Sequence, residues 1–279
     1  MMRGRNTMAV AVRRADDQIM VIRRPVGSVQ ARYRVLRLPI LRGVVALVES
    51  LILGVQALMF SASEFAGEDE GEKLKPWETT LAMGGALVVF VVLFVILPNL
   101  LAIGVQHLGA GPVATSAAEG VSRIAIFLAY IFGISKIKDI QRVFEYHGAE
   151  HKAIYTYEAG EPLTVENARK HSTLHPRCGT SFLLIVMVVM ILVFSLIGTR
   201  SFLVRLGLRL ALLPLVAGLS YELIKLSGRK SVRESWLLRW AIAPGLWLQR
   251  LTTREPDEGQ LEVAIKALNA VLEQEAEAG

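Results

Sequence analysis

Charged residues vanish from two long stretches of this chain. No Asp, Glu, Lys or Arg lies between Glu78 and Glu119, and none lies between Arg177 and Arg200. Each run exceeds the roughly 20 residues that carry an α-helix across the hydrocarbon core of a bilayer. The pattern predicts two firm spans, Thr80–Gly104 and Gly179–Thr199. Pro98 removes a backbone donor from the first and should kink it. Two weaker spans carry charge: Ala117–Ser135 holds Glu119 and Arg123, and Phe202–Ile224 holds Arg205, Arg209 and Glu222. Glu119 and Arg123 have the spacing to pair across one helical turn, but the expectation is that both sit at the interface. Arg205 and Arg209 are expected to snorkel, with an anionic headgroup as the other reading. Tyr221-Glu222 reads as an aromatic-belt ending or as a group that orients a ligand.

The flanking segments read differently. Residues 1–37 alternate short apolar runs, Met8–Val12 and Ile19–Ile22, around the polar stretch at Ala15-Asp16-Asp17, which predicts a small β-hairpin. Leu38–Phe60 is apolar, yet Arg42, Glu49 and Gln56 recur every seven residues and form one polar stripe on a helix. This segment is expected to be an interfacial or re-entrant helix, with a full span as the alternative. Trp236–Leu251, interrupted by Arg239 and Pro244, is expected at the membrane surface. After Pro256, the spacing of Leu261, Ala264, Ile265, Leu268, Val271 and Leu272 predicts an amphipathic C-terminal helix.

Composition agrees: 53% of the 279 residues are hydrophobic, against about 45–50% in soluble domains, and the mean hydropathy is +0.44. An ordinary soluble domain, a disordered chain and a disulfide scaffold are excluded, the last because Cys178 is the only cysteine. The formal charge of +6 is uneven, with nine Arg in residues 1–37. Arginine beside membrane segments marks cytoplasmic flanks, and no recognition element for nucleic acid accompanies it. No signal peptide is expected. The loop Gln106–Ser116 has no Lys or Arg, whereas Lys136–Arg177 has seven and Lys225–Arg233 has four. The expected fold is an all-α integral membrane protein with about four transmembrane helices, interfacial helices and an N-terminal β-hairpin, both termini cytoplasmic. Its segments are 1–37, 38–60, a first transmembrane pair at 80–135, a cytoplasmic His-rich segment at 136–178, a second pair at 179–225, and a cytoplasmic surface segment with the C-terminal helix at 226–279.

Four of the five histidines fall between residues 147 and 175. His147-Gly148-Ala149-Glu150-His151 places two imidazoles one helical turn apart, so both can reach one ion. The H-x-x-E-H string is the inverzincin signature, in which histidines bind zinc and the glutamate is general base. Phe144, His147, His151, Ile154 and Glu158 share one helix face, which makes Glu158 a possible ligand or supporting carboxylate. Gly148 could permit close approach of another element. His171, His175 and Cys178 follow just before a membrane span. A catalytic zinc commonly takes three protein ligands, and His175 (the first choice), His171, Cys178 and Glu158 are candidates for the third. The competing reading makes the histidines structural.

Several of these motifs also match a known pattern. Arg37-Leu38-Pro39-Ile40-Leu41-Arg42-Gly43, His147-Gly148-Ala149-Glu150-His151-Lys152 and His175-Pro176-Arg177-Cys178-Gly179-Thr180-Ser181-Phe182 resemble the YqhQ-like family of bacterial membrane proteins. Pro244-Gly245, Leu248-Gln249 and Thr252-Thr253-Arg254-Glu255-Pro256 extend the likeness over nearly the whole chain. The resemblance implies a domain of unknown function whose members are often labelled metal-dependent enzymes, and it implies no substrate. The family pattern has a Gly-rich stretch leading into Met1-Met2-Arg3-Gly4, so this chain is expected to begin inside it.

These readings combine into one expectation: a multi-pass protein of the bacterial inner membrane with a divalent metal, zinc first, at its cytoplasmic face. His147 and His151 are the ligands, Glu150 is the general base, and the reaction is hydrolysis of a peptide or lipid-linked substrate. The alternative is a non-catalytic scaffold or carrier. Expected partners are membrane lipid and a second copy of the chain, not nucleic acid.

Overall fold

The computed structural model describes residues 1–27, 29, 33–65, 76–176, 178–195, 202–227 and 236–277. Three antiparallel strands, β1 (Met2–Arg3), β2 (Thr7–Arg13) and β3 (Ile19–Pro25), form an N-terminal sheet in that order. The expected hairpin is β2–β3, with Val10 opposite Ile22. Its turn places Asp17 at φ +65°, a conformation that Asp tolerates better than most residues. The two-residue β1 was too short to leave a periodic signal.

Ten helices follow among the described residues: α1 (Leu41–Phe65), α2 (Pro76–Val91), α3 (Leu97–His107), α4 (Pro112–Ile134), α5 (Lys138–Glu158), α6 (Val165–Lys170), α7 (Gly179–Ser195), α8 (Phe202–Ser227), α9 (Trp236–Thr252) and α10 (Glu258–Glu277). A π-helical segment, Val92–Ile96, joins α2 to α3. The protein is a helical multi-pass membrane protein with a small sheet. Among the described residues, four helical stretches are long and apolar enough to cross a bilayer: Leu41–Glu64, Thr80–His107, Pro112–Ile134 and Gly207–Lys225. Within Thr80–His107 an 18-residue window has mean hydropathy 3.0, and only 11% of that window is buried within the protein. So much exposed apolar surface suits lipid rather than water.

This set differs from the expected one at two places. Helix α7 has 17 described residues, about 26 Å at 1.5 Å per residue; the rest of the expected span, 196–199, lies outside the described residues, as do most of the basic Lys225–Arg233 loop and the Arg205 side chain. Conversely, α1 qualifies by length and composition and buries as little of itself as Thr80–His107 does, 11%, but one of its faces packs on the sheet. Its Leu53, Ala57 and Phe60 pack on Met8, Val10 and Val12 of the sheet. Glu64 pairs with Arg14 at 2.5 Å and Glu49 with Arg3 at 3.2 Å. At its other end Arg42 Nε donates to Glu222 of α8 at 2.6 Å. Arg42 and Glu49 of the heptad stripe are therefore spent on protein partners.

Strand β2 is covered on both faces, because alternate residues point opposite ways. Met8, Val10 and Val12 face α1, whereas Ala9 and Ala11 join a core built on α10 and α5 around Leu261, Leu268, Val271, Ala149 and Ala153. The expected amphipathic C-terminal helix is thus a core element. Small side chains at Ala149 and Ala153 bring α5 close to α10 on one face and leave the histidine face of α5 turned toward the membrane helices.

Candidate metal centre

The site is built where α5 meets the chain entering α7. Gly148 decides how closely the C-terminal segment crosses α5: a Cβ there would lie 2.1 Å from the Arg254 carbonyl oxygen. The crossing is held by the Arg254 backbone N–H, which donates to the Phe144 carbonyl at 3.0 Å. It places the Thr252 carbonyl 2.8 Å from Nδ1 of His147. Lys152, 3% exposed, anchors the same crossing by pairing with Glu255 at 2.9 Å and donating to the Arg169 carbonyl at 3.0 Å.

The 171–178 segment is fixed from the other side by Gln249 of α9. Its amide bonds reciprocally to the His175 backbone, Nε2 donating to the carbonyl at 2.8 Å and Oε1 accepting from the N–H at 2.7 Å. The Thr173 carbonyl then accepts from His151 Nδ1 at 2.5 Å. A carbonyl can only accept, so both Nδ1 atoms carry their protons and both Nε2 atoms are left for another partner. Backbone-fixed tautomers of this kind support metal-ligating histidines.

That partner position is shared with Cys178. The ligand atoms of His147, His151 and Cys178 lie within 4.8 Å of one another, and His147 Nε2 is 3.1 Å from the sulfur. Cys178 is 8% exposed and stands at the N-terminus of α7, where Thr180 also approaches the sulfur through Oγ1 at 3.2 Å. Burial pushes the Cys178 thiol up, but His147 and His151 more than reverse this and bring it down to about 5. For His147, burial pulls the imidazole down, while the sulfur, the Thr252 carbonyl and the charge of Glu150 raise it above its ordinary value.

The other named residues take different places. His175 is not in this cluster: its Nε2 faces Glu158 Oε1 at 3.4 Å, and its ring lies 5.7 Å from that of His151. Glu158 is seven residues beyond His151, about 10 Å along the helix, which is why it meets His175. Glu150, half-buried, lies outside the three-ligand group but close enough to act on His147 electrostatically. His171 pairs with Glu161 at 3.3 Å and stacks on Tyr155. Gln249 and Thr252 entered the sequence reading only inside motifs of the family resemblance, without a role, and Thr173 was given no role either. Two act through backbone carbonyls, which no residue type announces.

A second charged group lies inside the helical bundle. Glu119, 1% exposed, receives two bonds from Arg209 at 2.5 and 2.7 Å and one from Arg123 at 2.8 Å. The expected interfacial Glu119 and snorkelling Arg209 are corrected here: the two pair with each other at depth.

The fold and this geometry define a multi-pass membrane protein whose His/His/Cys cluster sits at the mouth of its helical bundle. The chain belongs to a family described as "Protein of unknown function (DUF1385)", whose model matches residues 38–274. It is 36% identical over 285 residues to "Uncharacterized protein YqhQ" of Bacillus subtilis (strain 168), covering 98% of this chain and 89% of that protein. No solved structure matches it.

Proposed function

We propose that this protein is a metal-dependent membrane enzyme whose His147, His151 and Cys178 hold one divalent ion, zinc first. The observation that carries the reading is the convergence of these three ligand atoms within 4.8 Å, with both imidazoles fixed through Nδ1 by backbone carbonyls. The donor set fits: two imidazoles and a thiol that ionises readily are ligands that zinc takes, and three of them leave a fourth position open. When bound, such an ion supplies Lewis acidity and an activated water.

The chain's own residues supply the rest. Thr252 and Thr173 hold the ring orientations, Gln249 holds the 171–178 segment, and Glu150, whose charge acts on His147, is the general base in this reading. The reaction class is hydrolysis, and the substrate is a peptide or a lipid-linked molecule, because Cys178 immediately precedes a helix of the bundle. The site faces the cytoplasm of a bacterial inner membrane, with both termini on that side; the seven Lys/Arg of residues 136–177 support this orientation.

The test is elemental analysis of the detergent-purified protein beside a His147→Ala/His151→Ala variant. About one equivalent of zinc in the wild type, absent from the variant, supports the reading. A folded wild type that carries no metal and binds none on titration overturns it and leaves a scaffold or carrier with structural histidines. Glu150→Gln is expected to keep the ion and lose hydrolysis.

A further inference from the structure

A cavity of about 930 Å³ opens among the π-helical segment, α3, α4, α7 and α8. Ligand pockets hold roughly 300–1,000 Å³. Its walls are mostly apolar, including Phe94, Phe127, Met190 and Leu210; the charged lining residues are Glu119, Arg123 and Arg209, and Asn99 and Tyr130 add polar groups.

Those three charges do not cancel. One carboxylate faces two guanidiniums, which leaves one positive charge inside a helical bundle, where an ionisable group is expensive unless it has a partner or a role. The donors are also unevenly used. Arg123 Nε donates to the Phe94 carbonyl at 3.0 Å, whereas Arg209 Nε is buried with no hydrogen-bond partner among the described residues. The surplus charge lies on guanidiniums that line an otherwise largely apolar space.

The cavity has the shape of an amphiphile's site. Glu119 lies seven residues from the start of α4 and Arg209 seven from the start of α8. Both are therefore about 10 Å from the same rim of the bundle. From Phe194 to Leu183 the lining then follows α7 for eleven residues, about 16 Å, toward the end that carries Cys178. A compact anion fits the charged end and a hydrocarbon chain fits the remainder.

We propose that this cavity binds one anionic phospholipid of the surrounding bilayer, its phosphodiester against Arg209 and Arg123 and one acyl chain in the apolar channel. A phosphodiester carries one negative charge and cancels the surplus, and a bilayer lipid reaches the site without leaving the membrane. The proposal uses none of His147, His151 or Cys178, so it stands or falls apart from the metal reading.

The test is native mass spectrometry of the full-length protein released from mixed micelles of phosphatidylglycerol and phosphatidylcholine. The wild type is expected to retain one phosphatidylglycerol in preference to phosphatidylcholine by about tenfold, the factor that one charge-assisted hydrogen bond supports. Arg209→Gln is expected to remove that preference. Met190→Trp keeps all three charges and fills the channel, and it is expected to lose the bound lipid. Equal retention of both lipids by the wild type overturns the proposal, as does undiminished retention in a folded Met190→Trp. Displacement of the lipid by inorganic phosphate alone also overturns it, because the acyl channel would then contribute nothing.

Discussion

Gly148 and the carbonyl of Arg254 touch so closely that no side chain can stand between them: a Cβ at Gly148 would lie 2.1 Å from that oxygen. The glycine therefore sets the height at which the C-terminal segment crosses α5, and with it the position of the Thr252 carbonyl on His147. Gly148→Ala is expected to cost about 1–3 kcal/mol by overpacking, despite alanine's better helix propensity. It should also weaken metal binding by displacing Thr252. Thermal unfolding and zinc titration of the variant check both effects; an unchanged melting temperature would show that the crossing yields freely.

Gln249 is fully buried and spends both ends of its amide on the His175 backbone. Gln249→Met fills the same space without either bond. The stranded His175 N–H and carbonyl then cost about 1–3 kcal/mol each, and the 171–178 segment loses its hold on α9. The expected outcome is a lowered melting temperature together with reduced zinc affinity. Gln249→Glu is expected to keep the bond from the His175 N–H and lose the one to the carbonyl, and so to fall between the two.

Cys178 and His147 make a pH-dependent pair in the metal-free protein. Cys178 is lowered from 9.0 to about 5, so its thiolate contributes stability in full above the unfolded value and loses it as pH falls through about 5. His147 is raised, so its contribution is complete below the unfolded value and is lost as pH rises through the folded one. The ion pair is whole between those two limits. Thiolate absorbance of the metal-free wild type is expected to titrate near pH 5. In His147→Ala the midpoint should rise toward the ordinary thiol value; a midpoint that stayed put would remove His147 as the cause.

Local spacing made part of this structure readable. The uncharged runs marked the bundle, and the four-residue interval between His147 and His151 marked one face of one helix. Gly148 sat between them as a sign of close approach. What local pattern does not encode is pairing at long range. Arg209 meets Glu119 across 90 residues, and Gln249 meets His175 across 74. Read alone, Arg209 was an interfacial arginine, because snorkelling is the default when no partner is in view. Glu158 shared a helix face with His151, but a face says nothing about height along the axis. Its partner is therefore His175, supplied by a segment that folds back.

Pro98 and Arg123 compensate each other. Proline has no N–H to offer the carbonyl four residues earlier, which belongs to Phe94, and Arg123 Nε supplies that bond at 3.0 Å. The π-helical segment Val92–Ile96 lies just ahead of the proline. Arg123→Met is expected to destabilise the protein, and to do so less in a Pro98→Ala background, where the helix can satisfy the carbonyl itself. A double-mutant cycle in detergent should give a coupling of about 0.5–3 kcal/mol. Additive effects would mean that Arg123 acts only through Glu119.

Helix α1 presents a conflict between composition and packing that labelling can resolve. Leu41–Glu64 is apolar enough to span, yet its Leu53, Ala57 and Phe60 lie under the sheet and its Glu64 is bonded to Arg14. A strand pair cannot follow a helix into hydrocarbon, because an open sheet edge leaves backbone groups unsatisfied there. Its other end is tied to Glu222, near the C-terminal end of α8. Both anchors are expected to keep α1 along one membrane surface, where its polar stripe meets protein. Ala15 in the hairpin turn and Ser63 near the end of α1 are exposed, so Ala15→Cys and Ser63→Cys, each in a Cys178→Ala background, are expected to react with an impermeant thiol reagent from the same side of sealed vesicles. Labelling from opposite sides would make α1 a full span and require the sheet to detach from it.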